Sequence, residues 1–294
     1  MQSNDRRRLN GPAGGTTAPS FLSATTAPLR RSRQPHEHRR IYLQTGTVPS
    51  AAGSAYYELH PDEKTSTLGQ NTSSLKLSVT VHGPRPLPRN AAFSSNLLLN
   101  THIKFAPFAT QVRRGYVRDW SERDLGAHLE NALRGVIIGE RWPKSAVDVV
   151  VTILEGEDST SSAEKSLQGG GIMTALAGAI TASSAALVEA GIDCVDLVSG
   201  GVAGLAKPTK GSSDEPLVDP VSSDQELAAL CVVAYLQSRD EITELWMRGN
   251  AGTQLDQLIE QATAAAKLER GVLVDALKEC IAADAETKDT DMKD

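Results

Sequence analysis

The reading of the fold turns on SLQGGGIMTALAGAITASSAALVEAGIDCVDLVSGGVAGL at residues 166–205, with LVDPVSSDQEL at 217–227 behind it. Between Ile172 and Ala190 the residues Ile172, Leu176, Ile180, Ser183 and Leu187 recur at helical spacing. Alanines and Gly178 flank that stripe, so the expected helix packs close against a sheet. Ser183 is its one polar member, able either to bond back to the carbonyl one turn earlier or to act as a small residue at a tight contact. Gly191 then stands where a left-handed residue ends a helix. Cys194 to Leu205 reads as a buried strand, in which Gly200-Gly201 marks a bulge or the close approach of another backbone.

Towards the C-terminus, Lys207 to Pro216 is an exposed loop by composition, and Ala228 to Gln237 with Glu241 to Met247 reads as a hairpin whose tip carries Arg239-Asp240. Thr253 to Ile281 places Leu255, Ile259, Ala262, Ala266, Leu273 and Leu277 at helical spacing, interrupted at Gly271, and an acidic remainder frays to Asp294. Towards the N-terminus, Ile41 to Leu43, Ala55 to Leu59 and Leu75 to Val81 form an antiparallel opening, the last with Leu75, Leu77, Val79 and Val81 alternating with polar positions. The prolines of Gly83-Pro84-Arg85-Pro86-Leu87-Pro88-Arg89 exclude that segment from a sheet centre. Leu97 to Phe105 is a further strand.

Ser121 is the expected helix N-cap with Asp124 at its third position. Leu125, Leu129, Leu133, Val136 and Ile137 supply the apolar face behind it, and Gly139 and Pro143 stop the helix. Val147 to Leu154 is β-branched enough to be covered on both faces. This order of elements predicts an α+β fold rather than a doubly wound sheet. The expected organisation is a disordered basic arm at 1–35, a first lobe at 36–165, a second at 166–282 and a flexible acidic tail at 283–294.

The net charge of −6 conceals an asymmetry, because residues 1–40 hold eight arginines against Asp5 and Glu37, net +6, which leaves −12 for residues 41–294. Arg6-Arg7-Arg8 and Arg30-Arg31-Ser32-Arg33 suit nuclear import or RNA phosphates, and equally a solvated tail. The arm is Arg- and Ser-rich like a mitochondrial presequence, but Gly11-Pro12-Ala13-Gly14-Gly15 resists the amphipathic helix a presequence needs. Cys194, Cys231 and Cys280 are widely spaced in apolar stretches, which points to reduced thiols in an intracellular protein. No apolar run approaches the length of a membrane span, so no membrane partner is expected.

The glycine turn at 169–171, ALVEAGID at 186–193 and the LVDP segment resemble the catalytic half of an RNase PH domain. The likeness runs from about Arg39 to Glu279. It takes in GSAYYELHPDEKT at 53–65, GPRP at 83–86, APF at 106–108 and RWPKSAVDVVVTILEGED at 141–158, in the family's order. The resemblance implies a ribosomal-protein-S5-domain-2-like fold in two lobes. Within the family the basic arm and LVDPVSSDQELAAL are most similar to ring-forming members of the eukaryotic RNA exosome that do not degrade RNA. It implies, for partners, other RNase PH-like subunits in a hexameric ring, cap subunits with S1 or KH domains, single-stranded RNA and an associated exosome nuclease. For location it implies nucleus and nucleolus, and also cytoplasm.

Phosphorolysis of RNA needs guanidinium groups for phosphate and carboxylates for a divalent cation or a proton. The family presents an arginine in its glycine-rich turn and two aspartates in a segment of the form LDLxYxED. Here the turn reads Gly169-Gly170-Gly171-Ile172-Met173-Thr174, and no arginine occurs between Arg141 and Arg239. Asp219 matches the first aspartate, Gln225 falls where the second belongs, Asp224 is one position short, and Pro220 follows Asp219. A three-glycine turn can still hold phosphate through backbone N–H groups. Asp219-Pro220 reads equally well as the start of a turn.

The expectation is therefore a non-catalytic ring subunit that needs no cofactor and has no catalytic residues. Two alternatives stay open: an active phosphorolytic 3′ exoribonuclease using the glycine turn with Asp219 or Asp224, and an RNA-binding adaptor acting through its arm. RNA contact is expected at Arg113, Arg114 and Arg118, where cations interleave with Tyr116 and Trp120, and next at Arg85 and Arg89. These arginines would serve equally as surface cations pairing with Asp119 and Glu122. Gly201 to Pro208 lacks P-loop spacing. His36-Glu37-His38, placed in a flexible arm, makes a poor metal site. His60, His82, His102 and His128 have no nucleophile at a recognisable spacing and read as structural.

Overall fold

The computed structural model describes residue 31, residues 33–60, 74–88, 90, 92–110, 115, 117, 119–157, 170–207, 215–221 and 227–291, with side chains up to residue 282. In chain order the elements are β1 (Ile41–Thr45), β2 (Gly53–Leu59), β3 (Leu75–Pro86), β4 (Leu98–Phe105), α1 (Trp120–Arg134), β5 (Ser145–Glu155), α2 (Gly170–Glu189), β6 (Val198–Ala206), β7 (Leu217–Val218), β8 (Leu227–Leu236), β9 (Glu241–Gly249) and α3 (Leu255–Asp291). They form two sheets, β1-β2-β3-β5-β4 and β7-β6-β8-β9. In two sheets, this is the α+β arrangement that the element order predicted.

The first sheet opens as an antiparallel meander, Leu43 opposite Tyr57 and Tyr57 opposite Leu77. The alternation along β3 puts Leu75, Leu77, Val79 and Val81 fully in the core. β4 pairs with β5 in parallel, and α1 is the crossover between them. One expectation fails here: β3 does not end at Val81 but pairs with β5 as far as Pro86 opposite Ser145. A register shift between His82 and Arg85 takes up Pro84, and Pro86 forms the last pair of the ladder.

The cap of α1 also lies two residues earlier than expected. Asp119 is the N-cap and Glu122 closes a capping box with it, in place of Ser121 and Asp124. A second role for Glu122 explains the choice. Its carboxylate accepts from the Asp119 N–H at 3.0 Å, and also from the Phe105 N–H and Lys104 Nζ, each at 3.0 Å, which ties the helix start to the end of β4.

Helix α2 lies between the two sheets. Seventeen of its 20 residues are buried, and it packs on β2 and β3 on one side and on β6 and β8 on the other. Among the described helices it alone is long and apolar enough to cross a membrane, and that apolarity is consumed inside the fold. The small residues foreseen from the sequence permit this: a Cβ on Gly200 of β6 would lie 2.4 Å from the Ala177 carbonyl oxygen of α2. On the opposite face a Cβ on Gly201 would lie 2.2 Å from the Ala262 carbonyl oxygen of α3. β6 is thus clamped between two helices at van der Waals distance. Ser184 and Thr181 accept hydrogen bonds from the N–H groups of Val198 and Gly200 at 3.1 and 3.0 Å, joining α2 to the sheet. Ser183 is buried and its Oγ makes no hydrogen bond, so the small-residue reading holds.

Gly191 ends α2 with φ +70°, as the helix signal required. The hairpin of β8 and β9 lies where expected, while the buried strand β6 starts at Val198, four residues after the expected start, with Cys194 making only an isolated bridge to Ile137. α3 runs through Gly271 without interruption. Its packed turns on either side, with Ala262, Ala266 and Leu273 fully buried, outweigh a glycine cost of about 1 kcal/mol.

Candidate functional site

Immediately after β7 the chain turns at Asp219, whose backbone is left-handed at φ +47°. That conformation is uncommon outside glycine and is tolerated by aspartate. It persists because the residue is held at every polar atom: its N–H donates to the Val202 carbonyl of β6 at 3.0 Å, and its own carbonyl accepts from Arg31 and Arg33 at 3.2 and 3.3 Å. Asp219 does turn the chain, as one reading of the sequence proposed, but its side chain points inward and is 1% exposed.

Arg39 meets it as a fork. Nη2 donates to Oδ1 and Nε to Oδ2, each at 2.7 Å, and the Arg39 backbone N–H adds a bond to Oδ2 at 3.2 Å. Arg33 Nη1 reaches Oδ2 at 3.1 Å. The third nitrogen of Arg39, Nη1, pairs with Glu157, just beyond the end of β5. Two buried carboxylates therefore converge, but around a guanidinium. Burial opposes ionisation of Asp219, yet Arg39, His38 and Arg33 outweigh it and hold the carboxyl well below the usual carboxylate range. Glu157 goes the other way: burial, with Asp219 adding to it, raises its pKa despite Arg39.

A second layer joins this pair to α2 and α3. Glu269 of α3 accepts from the Thr181 hydroxyl at 2.5 Å and lies 3.5 Å from both the Tyr57 hydroxyl and His38 Nε2. His38 Nδ1 lies 2.8 Å from the Arg39 carbonyl oxygen, which fixes Nδ1 as a donor. Burial alone would lower the His38 pKa; Asp219 and Glu269 reverse this and raise it to about 9, so the imidazolium is the resting form. His38 is thus not in a flexible arm. The structure fixes it, as a cation among carboxylates rather than as a metal ligand.

The glycine turn is also committed internally. Gly170 and Gly171 form the first turn of α2, and a Cβ on Gly171 would lie 3.0 Å from the Glu157 Cβ. The positive end of α2, where a phosphate would sit, is faced by the chain's own carboxylate residue. Gly169, Asp224 and Gln225 lie outside the described residues. Among the described residues no group of three or more His, Cys, Asp and Glu is arranged to hold a metal ion.

Of the arginines singled out for RNA, Arg85, next to last in β3, has its side chain 60% exposed and pairs with Asp148 of β5. Asn100 Nδ2 holds the same carboxylate at 2.8 Å. Arg89, Arg113, Arg114 and Arg118 lie outside the described residues. Lys104 Nζ, besides Glu122, donates to the carbonyls of Gly115 and Val117 at 3.1 and 3.2 Å. Trp120, at the start of α1, is 70% exposed. His128 is structural, as read: its Nδ1 lies 2.7 Å from Glu244 and its ring stacks on Trp246 at 4.5 Å.

The sequence reading found Asp219 but missed Arg39, His38, Glu157 and Glu269 as its surroundings. No local pattern announces them, since Arg39 and Asp219 are 180 residues apart. The arginines entering β1 and the glutamate closing TILEGE were the only traces.

A profile of the 3′ exoribonuclease family, domain 1 (RNase PH), matches residues 37–193. The chain is 49% identical to the exosome complex component MTR3 of Chaetomium thermophilum over 94% of its own length and 99% of that protein's. To mtr3 of Schizosaccharomyces pombe it is 31% identical over 93% and 96%, and to human MTR3 28% over 84% and 84%. Among solved structures, rice Rrp46 superposes with a TM-score of 0.64 over 84% of this chain and 98% of that one, at 18% identity, a likeness of fold.

Proposed function

The chain belongs to the RNase PH family of 3′ exoribonucleases, and from that premise we propose that it is a non-catalytic subunit of an RNA exosome ring, of the MTR3 (mRNA-transport-regulator) type. The observation that carries the loss of activity is the fork between Arg39 and Asp219. By the family resemblance, Asp219 falls where the family carries its first catalytic aspartate. A carboxylate that is to bind a divalent cation or pass a proton must offer a free oxygen to the substrate side. Here both oxygens are taken by the chain's own cations in a buried setting, and those cations hold the carboxyl well below the usual carboxylate range. The glycine turn supplies no guanidinium, and Glu157 stands against it.

In this reading the fold is kept for assembly. The chain sits beside other RNase PH-like subunits in a hexameric ring, under S1 and KH cap subunits. It supports the processing and degradation of RNA, ribosomal RNA included, by a nuclease elsewhere in the particle, in nucleus, nucleolus and cytoplasm. Arg113, Arg114 and Arg118 contact single-stranded RNA in this reading, and Arg85 and Arg89 are the next candidates. The test is a tagged pull-down from native extract, with sizing and mass spectrometry, alongside a phosphorolysis assay on the pure chain. Recovery with several RNase PH-like and S1 or KH proteins, and no phosphate-dependent release of nucleoside diphosphates, supports the proposal. A monomer or self-assembled hexamer, or phosphorolysis that Asp219→Ala abolishes, overturns it.

A further inference from the structure

The bonds at Asp219 come mainly from one short segment at the start of the described chain. Arg31 donates to the Asp219 carbonyl, Arg33 to its carbonyl and carboxylate, and Arg39 to both carboxylate oxygens. The segment adds a backbone bond of its own, the Val218 N–H donating to the Pro35 carbonyl at 2.8 Å. It is also folded on itself: Arg31 Nη2 donates to the carbonyls of Gln34 and Glu37 at 2.9 and 3.0 Å, and Glu37 accepts from the Gln34 N–H at 3.1 Å. A solvated tail makes no such set, because each fixed arginine loses rotamer freedom that only several good bonds offset. Arg33, for all its charge, is only 7% exposed.

We propose that Arg31 and residues 33–39 form a strap that latches onto Asp219 and β7, and that Asp219 is its anchor. The carboxylate that the family uses on its substrate is here a binding site for the chain's own N-terminal segment. The strap closes the carboxylate centre to solvent and fixes where the arginine-rich residues 1–30 join the body, beside β7 at the edge of the second sheet. The latch has an inner and an outer part. Arg39 is enclosed between Asp219 and Glu157 and belongs to the core; Arg31 and Arg33 hold the strap from outside. This goes beyond the ring proposal and holds whether or not the chain assembles.

The experiment is amide hydrogen exchange on the purified full chain, wild type against Arg31→Gln/Arg33→Gln, with trypsin digestion of Asp219→Asn as the second measurement. Loss of the outer bonds should speed exchange about tenfold or more at Gln34, Glu37 and Val218, and leave the paired amides of β3 and β5 unchanged. Asp219→Asn should expose the bonds after Arg33 and Arg40 to trypsin, where the wild type is protected. Exchange in the double variant that stays at the wild-type rate, or that rises equally in β3 and β5, overturns the strap. So does a wild-type chain cut after Arg33 as fast as Asp219→Asn.

Discussion

Arg39 and Asp219 meet through two 2.7 Å hydrogen bonds with both side chains 1% exposed, and the third guanidinium nitrogen of Arg39 closes on Glu157. Truncating one member of such a group leaves buried charge without a partner, which costs about 3–5 kcal/mol. Arg39→Met should therefore lower stability by that order in urea unfolding. Arg39→Lys should recover only part of it, because an ammonium cannot reproduce the fork. Arg39→Met with Asp219→Asn and Glu157→Gln should be more stable than Arg39→Met alone. Equal stability of all the variants would show that the cluster contributes nothing to folding.

The same cluster sets a pH dependence. His38 faces the Arg39 carbonyl on its own segment, Asp219 beyond β7 and Glu269 on α3. Its folded pKa of about 9 is raised above the usual 6.5, so its contribution is complete below about pH 6.5 and is lost as pH rises through 9. At about 1.4 kcal/mol per unit, stability should fall by a few kcal/mol between pH 7 and 9.5. Burial also holds the Tyr57 hydroxyl well above its usual range, which steepens the loss beyond pH 10, so the lower window is the diagnostic one. His38→Gln should flatten it in urea titrations. Asp219, with its pKa lowered, contributes above the normal carboxylate range and is lost towards strong acid.

Glycine gives two opposite predictions. Gly271 lies inside α3 with nothing within 4 Å of where an added methyl would sit, so Gly271→Ala should stabilise by about 0.5–1 kcal/mol. Gly201→Ala forces a methyl against the Ala262 carbonyl at 2.2 Å and should abolish folding or shift α3 off the sheet. Thermal melts of the two variants, measured together, should move in opposite directions.

What the sequence showed and hid follows from the range of each interaction. Leu75, Leu77, Val79 and Val81 announce a strand because alternation is local, and the small residues of 172–190 announce a helix pressed on a sheet for the same reason. The cap at Asp119 was misplaced because its choice depends on Glu122 also reaching Phe105 and Lys104, which the capping pattern does not contain. Gly271 looked like a break because its neighbours' packing is tertiary. The site was legible in the sequence only as a departure from the family pattern: no arginine in the glycine turn and Gln225 where a second aspartate is expected. Its replacement, an arginine and a histidine from the N-terminal edge and a glutamate from the end of β5, is brought together by the fold alone.

The proposed RNA contacts give the last prediction. Lys104 Nζ donates to the carbonyls of Gly115 and Val117 as well as to Glu122, which holds those two residues near the start of α1, where Trp120 is exposed. Each arginine on a phosphate releases counterions, and for single strands the slope of log affinity against log salt falls by about 0.7 per contact. Replacing all three by alanine in the purified particle should weaken binding of an unstructured RNA and reduce that slope by about 2, with little dependence on sequence. Trp120→Ala should weaken binding by about 1–3 kcal/mol while leaving the slope unchanged, because stacking displaces no counterions. An unaltered slope in the triple variant would remove these arginines from the RNA path and assign them to contacts with protein.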